Sequence, residues 1–172
     1  MSKAKQRHFL ALYEPVHDQF KRYCQAAAFY DMPCEDLINE TLLVAYKKID
    51  GLKEEKAFLS FLIGISKNIL SNARRKKKAE TVSNELLLTQ HPDSKNNIEQ
   101  QNNVATLYKA LAHLPLQQRE AIVLFEITGF SIKEIAAIQN SGISAVKQRL
   151  ARGRKALKEI LTNDLAPKNL KM

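Results

Sequence analysis

The chain has 172 residues, only five glycines and five prolines, and a formal net charge of +9. That length holds one domain or two small ones, and the charge favours a polyanionic partner, nucleic acid ahead of an anionic membrane surface. No apolar run approaches a membrane span and no apolar signal core follows the basic N-terminus, so a cytoplasmic protein is expected.

The titratable residues argue against resident chemistry. Cys24 and Cys34 form neither a CxxC pair nor a zinc framework, and both are expected to be reduced structural thiols. His8, His17, His91 and His113 make no i,i+4 ligand pair. No glycine-rich phosphate loop or nucleophile elbow is present. The adjacent acids Glu35-Asp36 and Glu54-Glu55 fit helix starts or solvated faces. The expectation is a protein that is not an enzyme and holds no cofactor or metal.

The apolar residues are mostly Leu, Ile and Ala, and no segment alternates β-branched residues with period two, which predicts an all-α chain. Two helical blocks are expected, at residues 9–78 and 105–162, joined by a polar linker over residues 79–104. Within the linker, Leu86-Leu87-Leu88 would pack locally.

In the first block a helix starts near Pro33, with Glu35 and Asp36 in its first turn at the positive end of the dipole. Ile38, Thr41, Leu42, Ala45 and Ile49 form its inward stripe. Asp36, Asn39, Glu40, Leu43 and Lys47 form a second face, on which Leu43 stands out among polar neighbours. A lone surface leucine and a partner-binding face are both open readings. Gly51 ends the helix, and residues 50–56 form a loop. The next helix starts near Ala57 with Phe58, Phe61, Leu62, Ile65 and Ile69 on one side. It leaves through Arg74-Arg75-Lys76-Lys77-Lys78, a run that suits phosphate contact better than decoration because it follows an amphipathic helix.

The second block opens with a helix carrying Val104, Leu107, Tyr108 and Leu111. Pro115 starts another, with Ala121, Ile122, Leu124 and Phe125 inward and Gly129 at its end. Ser131 and Glu134 then have the spacing of a capping box, and Ile135 and Ile138 face the core. Gln139-Asn140-Ser141-Gly142 makes a tight turn. The last helix keeps Val146, Leu150 and Leu157 inside and carries Lys147, Gln148, Arg149, Arg152, Arg154, Lys155 and Lys158 elsewhere. A capped short helix, a tight turn and a basic helix form a helix-turn-helix, whose second helix enters the major groove.

At this point the residues resemble the bacterial sigma-70 family, in its small two-domain extracytoplasmic-function group. The 114–161 stretch is similar to the family's domain 4. Pro33-Cys34-Glu35-Asp36-Leu37-Ile38-Asn39-Glu40-Thr41-Leu42 resembles the start of the domain 2 helix that docks on polymerase. Phe58-Leu59-Ser60-Phe61-Leu62, Lys67-Asn68 and the basic run resemble the segment that opens the −10 element. The resemblance implies a core-polymerase contact through Asp36, Asn39, Glu40, Leu43 and Lys47. It implies −10 recognition by the 51–56 loop, with Leu52, Lys53, Phe58, Phe61, Lys67, Asn68, Arg74 and Arg75. In the −35 groove, Lys147, Gln148, Ala151 and Arg152 would face bases, with Ser144, Arg149, Arg154 and Lys155 around them, several near phosphates. The implied partners are core RNA polymerase and promoter DNA, with an anti-sigma factor as a further candidate, and no membrane insertion. The chain departs from the family pattern at Phe61, where Trp is usual, at Leu52, where an aromatic is common, and at Gly64, where a basic residue is common. Left open beside this reading are a helix-turn-helix regulator that never replaces a sigma factor and a helical adaptor with basic surfaces.

Overall fold

The structure, a computed structural model, describes residues 2–83 and 98–165, and among them every regular element is helical. Each described stretch forms a compact unit of its own. The first contains α1 (Lys3–Tyr13), α2 (His17–Ala27), α3 (Cys34–Lys48) and α4 (Phe58–Ser83). The second contains α5 (Ile98–Ala112), α6 (Leu116–Ile122), α7 (Ile132–Ile138) and α8 (Ile143–Leu165).

Local chemistry sets the helix ends in the first unit. Pro15 lies in the single tight turn between α1 and α2, where its missing N–H costs nothing. Pro33 is extended, with ψ 136°, and caps α3. The acids Glu35 and Asp36 in the first turn and Lys47 and Lys48 in the last both complement the helix dipole. Two short 3-10 turns, Ile49–Gly51 and Glu55–Ala57, carry the chain from α3 to α4. Gly51 needs no left-handed backbone here; Gly129 is the positive-φ glycine.

The core of this unit lies among α2, α3 and α4, with Phe20, Tyr23, Leu37, Thr41, Ala45, Leu62, Ile63 and Leu70 fully or almost fully buried. The expected stripes hold at Thr41, Ala45, Ile49, Phe58 and Leu62 and differ by a residue beside them. On α3, Leu37 is inside and Ile38 half-buried; on α4, Ile63, Ser66 and Leu70 are inside while Ile65 and Ile69 are half-buried. Ser66 is tolerated there because its hydroxyl donates to the Ile63 carbonyl at 2.9 Å. Helix α4 also continues beyond the basic run to Ser83, and α5 already begins at Ile98, so helix occupies both ends of the stretch expected to be linker. Leu86-Leu87-Leu88 lie outside the described residues.

The second unit is built around α8, which packs on α6, α7 and α5. Leu111, Ala121, Ile122, Val123, Leu124, Ile135, Val146 and Leu150 form its core, whereas Val104 is exposed. Helix α6 widens into a π-type turn over Val123–Ile127, where the Thr128 N–H donates to the Val123 carbonyl at 3.1 Å. Gly129, at φ 81°, then reverses the chain. Seven residues are too few for a helix to stand alone in water, where about a dozen are needed. Helix α7 is instead held by burial of Ile135, about 2 kcal/mol for a side chain of that size, and by its cap.

Candidate nucleic-acid interface

The second unit positions one exposed cationic helix face. Ser131 Oγ accepts from the Glu134 N–H at 3.2 Å, and the Ser131 N–H donates to Glu134 Oε2 at 2.7 Å, so the expected capping box is present. Asn140 then takes a left-handed φ of 48°, a conformation asparagine tolerates well. The turn delivers the chain into α8 with Val146, Leu150 and Gly153 buried.

Gly153 was not singled out by the sequence reading. It lies where α8 crosses α6, so close that a β-carbon there would stand 2.6 Å from Ile122 Cδ1. The opposite side of α8 presents Ser144, Lys147, Gln148, Ala151, Arg152 and Lys155, all exposed. Their spacing repeats every three to four residues and makes one continuous face. An open groove of about 440 Å³ runs beside it, walled by Leu116, Gln117, Gln118, Ala145, Gln148 and Arg152.

Arg149 and Arg154 border this face and are engaged within the protein. Arg149 Nη1 donates to Gln139 Oε1 at 2.9 Å and to Ser141 Oγ at 2.8 Å. Gln139 Nε2 donates in turn to the Gln117 carbonyl at 3.0 Å and to Glu120 Oε2 at 2.9 Å. This network ties α6, the turn and α8 together. Arg154 donates through Nε and Nη2 to Glu126 Oε1, at 3.0 and 2.6 Å, and lies 5.2 Å from the Phe125 ring centroid. Neither Gln139 nor Glu126 carried a signal in the sequence, because side-chain bonds across helices leave no periodicity.

In the first unit, Asp36, Asn39, Glu40, Leu43 and Lys47 are all exposed on one side of α3, opposite Leu37, Thr41 and Ala45. Leu43 is 55% exposed, an unusual degree for a large apolar residue centred on a polar helix face.

The residues expected at a −10 strand divide into groups. In the loop, Lys53 is exposed and Leu52 half-buried. On α4, Phe61, Asn68 and Arg75 are spaced by two helical turns and share a row, with Asn68 and Arg75 exposed. Arg75 also bonds Asn72 Oδ1. Lys67 and Arg74 lie on a different row and are half-buried. Arg74 Nε donates to Asp31 Oδ2 at 2.7 Å, and Nη2 reaches the Ala27 carbonyl at 3.4 Å, so this guanidinium ties α4 to the end of α2. Lys77 Nζ caps the neighbouring Tyr30 carbonyl. Phe58 is 2% exposed, edge-on to Phe9 at 5.5 Å between centroids. A ring so enclosed cannot stack on a base, and the expected DNA role for Phe58 is corrected to a core role.

The thiols are quiet. Burial, then the neighbouring Cys34, pushes the Cys24 thiol up; burial, then the Glu35 carboxylate, pushes Cys34 up to about 11 against a small opposing effect of Lys21. Among the described residues no group of three or more His, Cys, Asp or Glu is arranged to hold a metal, and no helix is long and apolar enough to cross a membrane.

Comparison with known proteins decides what this arrangement belongs to. The family described as Sigma-70 region 2 matches residues 12–80, and Sigma-70, region 4 matches residues 105–157. The ECF RNA polymerase sigma factor EcfG of Rhodopseudomonas palustris is 31% identical over 76% of this chain and 72% of its own length. The chain belongs to the extracytoplasmic-function group of the sigma-70 family. The ECF sigma factor SigW of Bacillus subtilis is 27% identical to this sigma factor over 94% of the chain and 92% of its own length. Among solved structures, the sigma factor RpoE of Bartonella quintana, crystallised with the anti-sigma factor NepR, superposes with a TM-score of 0.73. That match is 26% identical and covers 95% of this chain and 99% of the other. The two-unit, all-helical organisation and the function class expected from the sequence are therefore those of the family: promoter-specific initiation of transcription with core RNA polymerase.

Proposed function

We propose that this sigma factor divides its work among three surfaces. The exposed side of α3, centred on Leu43, docks on core polymerase. The row Phe61, Asn68 and Arg75, with Leu52 and Lys53 of the adjoining loop, meets the −10 element. The α8 face of Ser144, Lys147, Gln148, Ala151, Arg152 and Lys155 enters the −35 major groove. The observation that carries this reading is that α8 face: continuous, cationic, and braced from behind by a capped helix and a polar network. Arg152 is suited to the two acceptors of guanine and Gln148 to adenine, each good pair discriminating by about 1–3 kcal/mol.

In this reading Arg149, Arg154 and Arg74 position other residues before they contact phosphate, since each already bonds an acceptor within its unit. The division into residues 9–78, a 79–104 linker and residues 105–162 is retained as the functional one, with α1 added at the front. The protein itself performs no bond-making step and needs no cofactor, because the polymerase carries the catalytic metals; its place of action is the cytoplasm. An anti-sigma factor is proposed as a further partner, by analogy with the complex in which the Bartonella relative was solved.

The test is transcription in vitro with purified core enzyme on a genomic template pool. Promoter-dependent transcripts that vanish with Arg152→Ala are expected. Tight operator binding without polymerase, and no new transcript with it, would favour a regulator of another kind.

A further inference from the structure

Helix α1 precedes almost all of the family match, which begins at residue 12. One of its turns nevertheless reaches both ends of the loop between α3 and α4. Lys5, His8 and Phe9 share one face through i,i+3 and i,i+4 spacing. Lys5 Nζ lies 2.5 Å from Asp50 Oδ2 and 5.4 Å from the centroid of the Tyr46 ring. His8 Nε2 lies 3.7 Å from Glu55 Oε1. Phe9, 6% exposed, meets Tyr46 and Phe58 edge-on, each at 5.5 Å between centroids. Tyr46 precedes the loop and Phe58 follows it, so a single side chain closes over both of its roots.

Charge gives these contacts a consequence. Residues 49–57 hold Asp50, Glu54 and Glu55 against Lys53 and Lys56, a formal charge of two minus three, or −1. A loop of that charge repels phosphates. Helix α1 offsets the Asp50 charge with Lys5 and sets His8 beside Glu55; both acids stay exposed, and so do Lys53 and Lys56. We propose that α1 is a specificity-determining brace of the −10 reader: Lys5, His8 and Phe9 fix the loop and Lys5 offsets the Asp50 charge, so that an incoming strand meets a loop of no net charge with its lysines exposed. Burial of Phe9 holds α1 in place, whereas the exposed ion pairs contribute little to stability. The effect of the brace is on where the loop stands and which charge it shows.

The inference rests on the −10 reading of this loop, and the experiment separates the two. Holoenzyme is assembled from full-length variants and core polymerase. Transcription is read from promoter libraries randomised at −10 or at −35. Lys5→Glu, which leaves Asp50 without its cation and adds a carboxylate beside it, should lower transcription on the order of tenfold at low salt, less as salt rises. It should alter base preference at −10 and leave preference at −35 unchanged. The charge swap Lys5→Glu with Asp50→Lys should restore both yield and preference. If Lys5→Glu matches the parent while Lys53→Ala loses transcription, the brace is refuted and the −10 reading stands. If both match the parent, the loop does not read the −10 element and the brace falls with it. A Lys5→Glu defect that the swap does not repair also overturns the proposal.

Discussion

The crossing of α8 over α6 makes a quantitative prediction at Gly153. Replacing a helix-interior glycine by alanine ordinarily stabilises by about 1 kcal/mol, through lower backbone entropy in the unfolded chain. Here the new methyl would stand 2.6 Å from Ile122 Cδ1, 3.3 Å from Ile122 Cγ1 and 3.4 Å from Gln118 Cβ. Ile122 is 3% exposed, so its terminal methyl has little room to swing away. Overpacking of that kind costs about 1–3 kcal/mol. The expected net effect of Gly153→Ala is destabilisation by about 1 kcal/mol. Ile122→Val removes the clashing carbon and alone costs about 1 kcal/mol. In the double variant the alanine methyl occupies the space the valine leaves, and stability should return close to the parent's. The two changes should therefore couple favourably by about 2 kcal/mol, where independent sites add to within about 0.5 kcal/mol. Native-state hydrogen exchange on α6 and α8 peptides isolates this unit from the other. Additive behaviour of the two substitutions would refute the claim that the helices are held at contact distance by a missing side chain.

Three further outcomes are expected. Leu43→Asp should weaken binding to core polymerase by about 2 kcal/mol or more, the scale of a central interface residue, with an unchanged circular dichroism melt; unchanged co-purification would remove α3 as the docking face. Gln139→Ala deletes three hydrogen bonds of the α6–turn–α8 network and should destabilise the second unit by about 1–3 kcal/mol in urea, while a purely DNA-facing glutamine would leave stability untouched. Native Cys34 should react with iodoacetamide at pH 8 far more slowly than the unfolded chain, as followed by mass spectrometry. Because its folded value is raised from 9.0 to about 11, the protonated thiol is the form the fold prefers. That contribution to stability is whole below about pH 9 and is lost as pH rises through about 11; equal labelling of native and unfolded protein would contradict it.

Much of the architecture was legible because helices write their burial into the chain. Pro33, Pro115, Gly129 and the Ser131–Glu134 pair mark boundaries by local chemistry, and the structure has helix ends at each of them. The exact buried stripe was less legible. Leu37 and Ile38 are adjacent and equally apolar, and only the angle at which α2 and α4 approach decides which is enclosed. The reach of α4 to Ser83 was missed for a related reason: in residues 79–83, Ala-Glu-Thr-Val-Ser, the apolar Val82 is 85% exposed, and so short a segment shows no period. Helix α1 was missed because its anchor, Phe9, is a single residue whose partners lie far along the chain.

For the site, helical spacing predicts which residues share a face but not which of them the fold consumes. On α8 the buried stripe of Val146, Leu150 and Gly153 has Arg149 on one border and Arg154 on the other. Border positions are where a long cationic side chain can lie back across a neighbouring helix, and both find acceptors there, Gln139 with Ser141 on one side and Glu126 on the other. Positions on the far side stay exposed, with Gln148 and Arg152 beside the open groove along α6. Removing the border pair from a run of basic residues thus leaves a narrower exposed face, Lys147, Gln148, Ala151, Arg152 and Lys155, for the proposed groove contact than charge alone suggested. The same logic operates on α4, where Arg74 and Lys77 turn back to Asp31 and Tyr30 while Arg75 stays exposed. In a strongly basic chain, an acceptor within reach on a neighbouring element, more than the charge itself, decides whether a cation braces the fold or stays exposed.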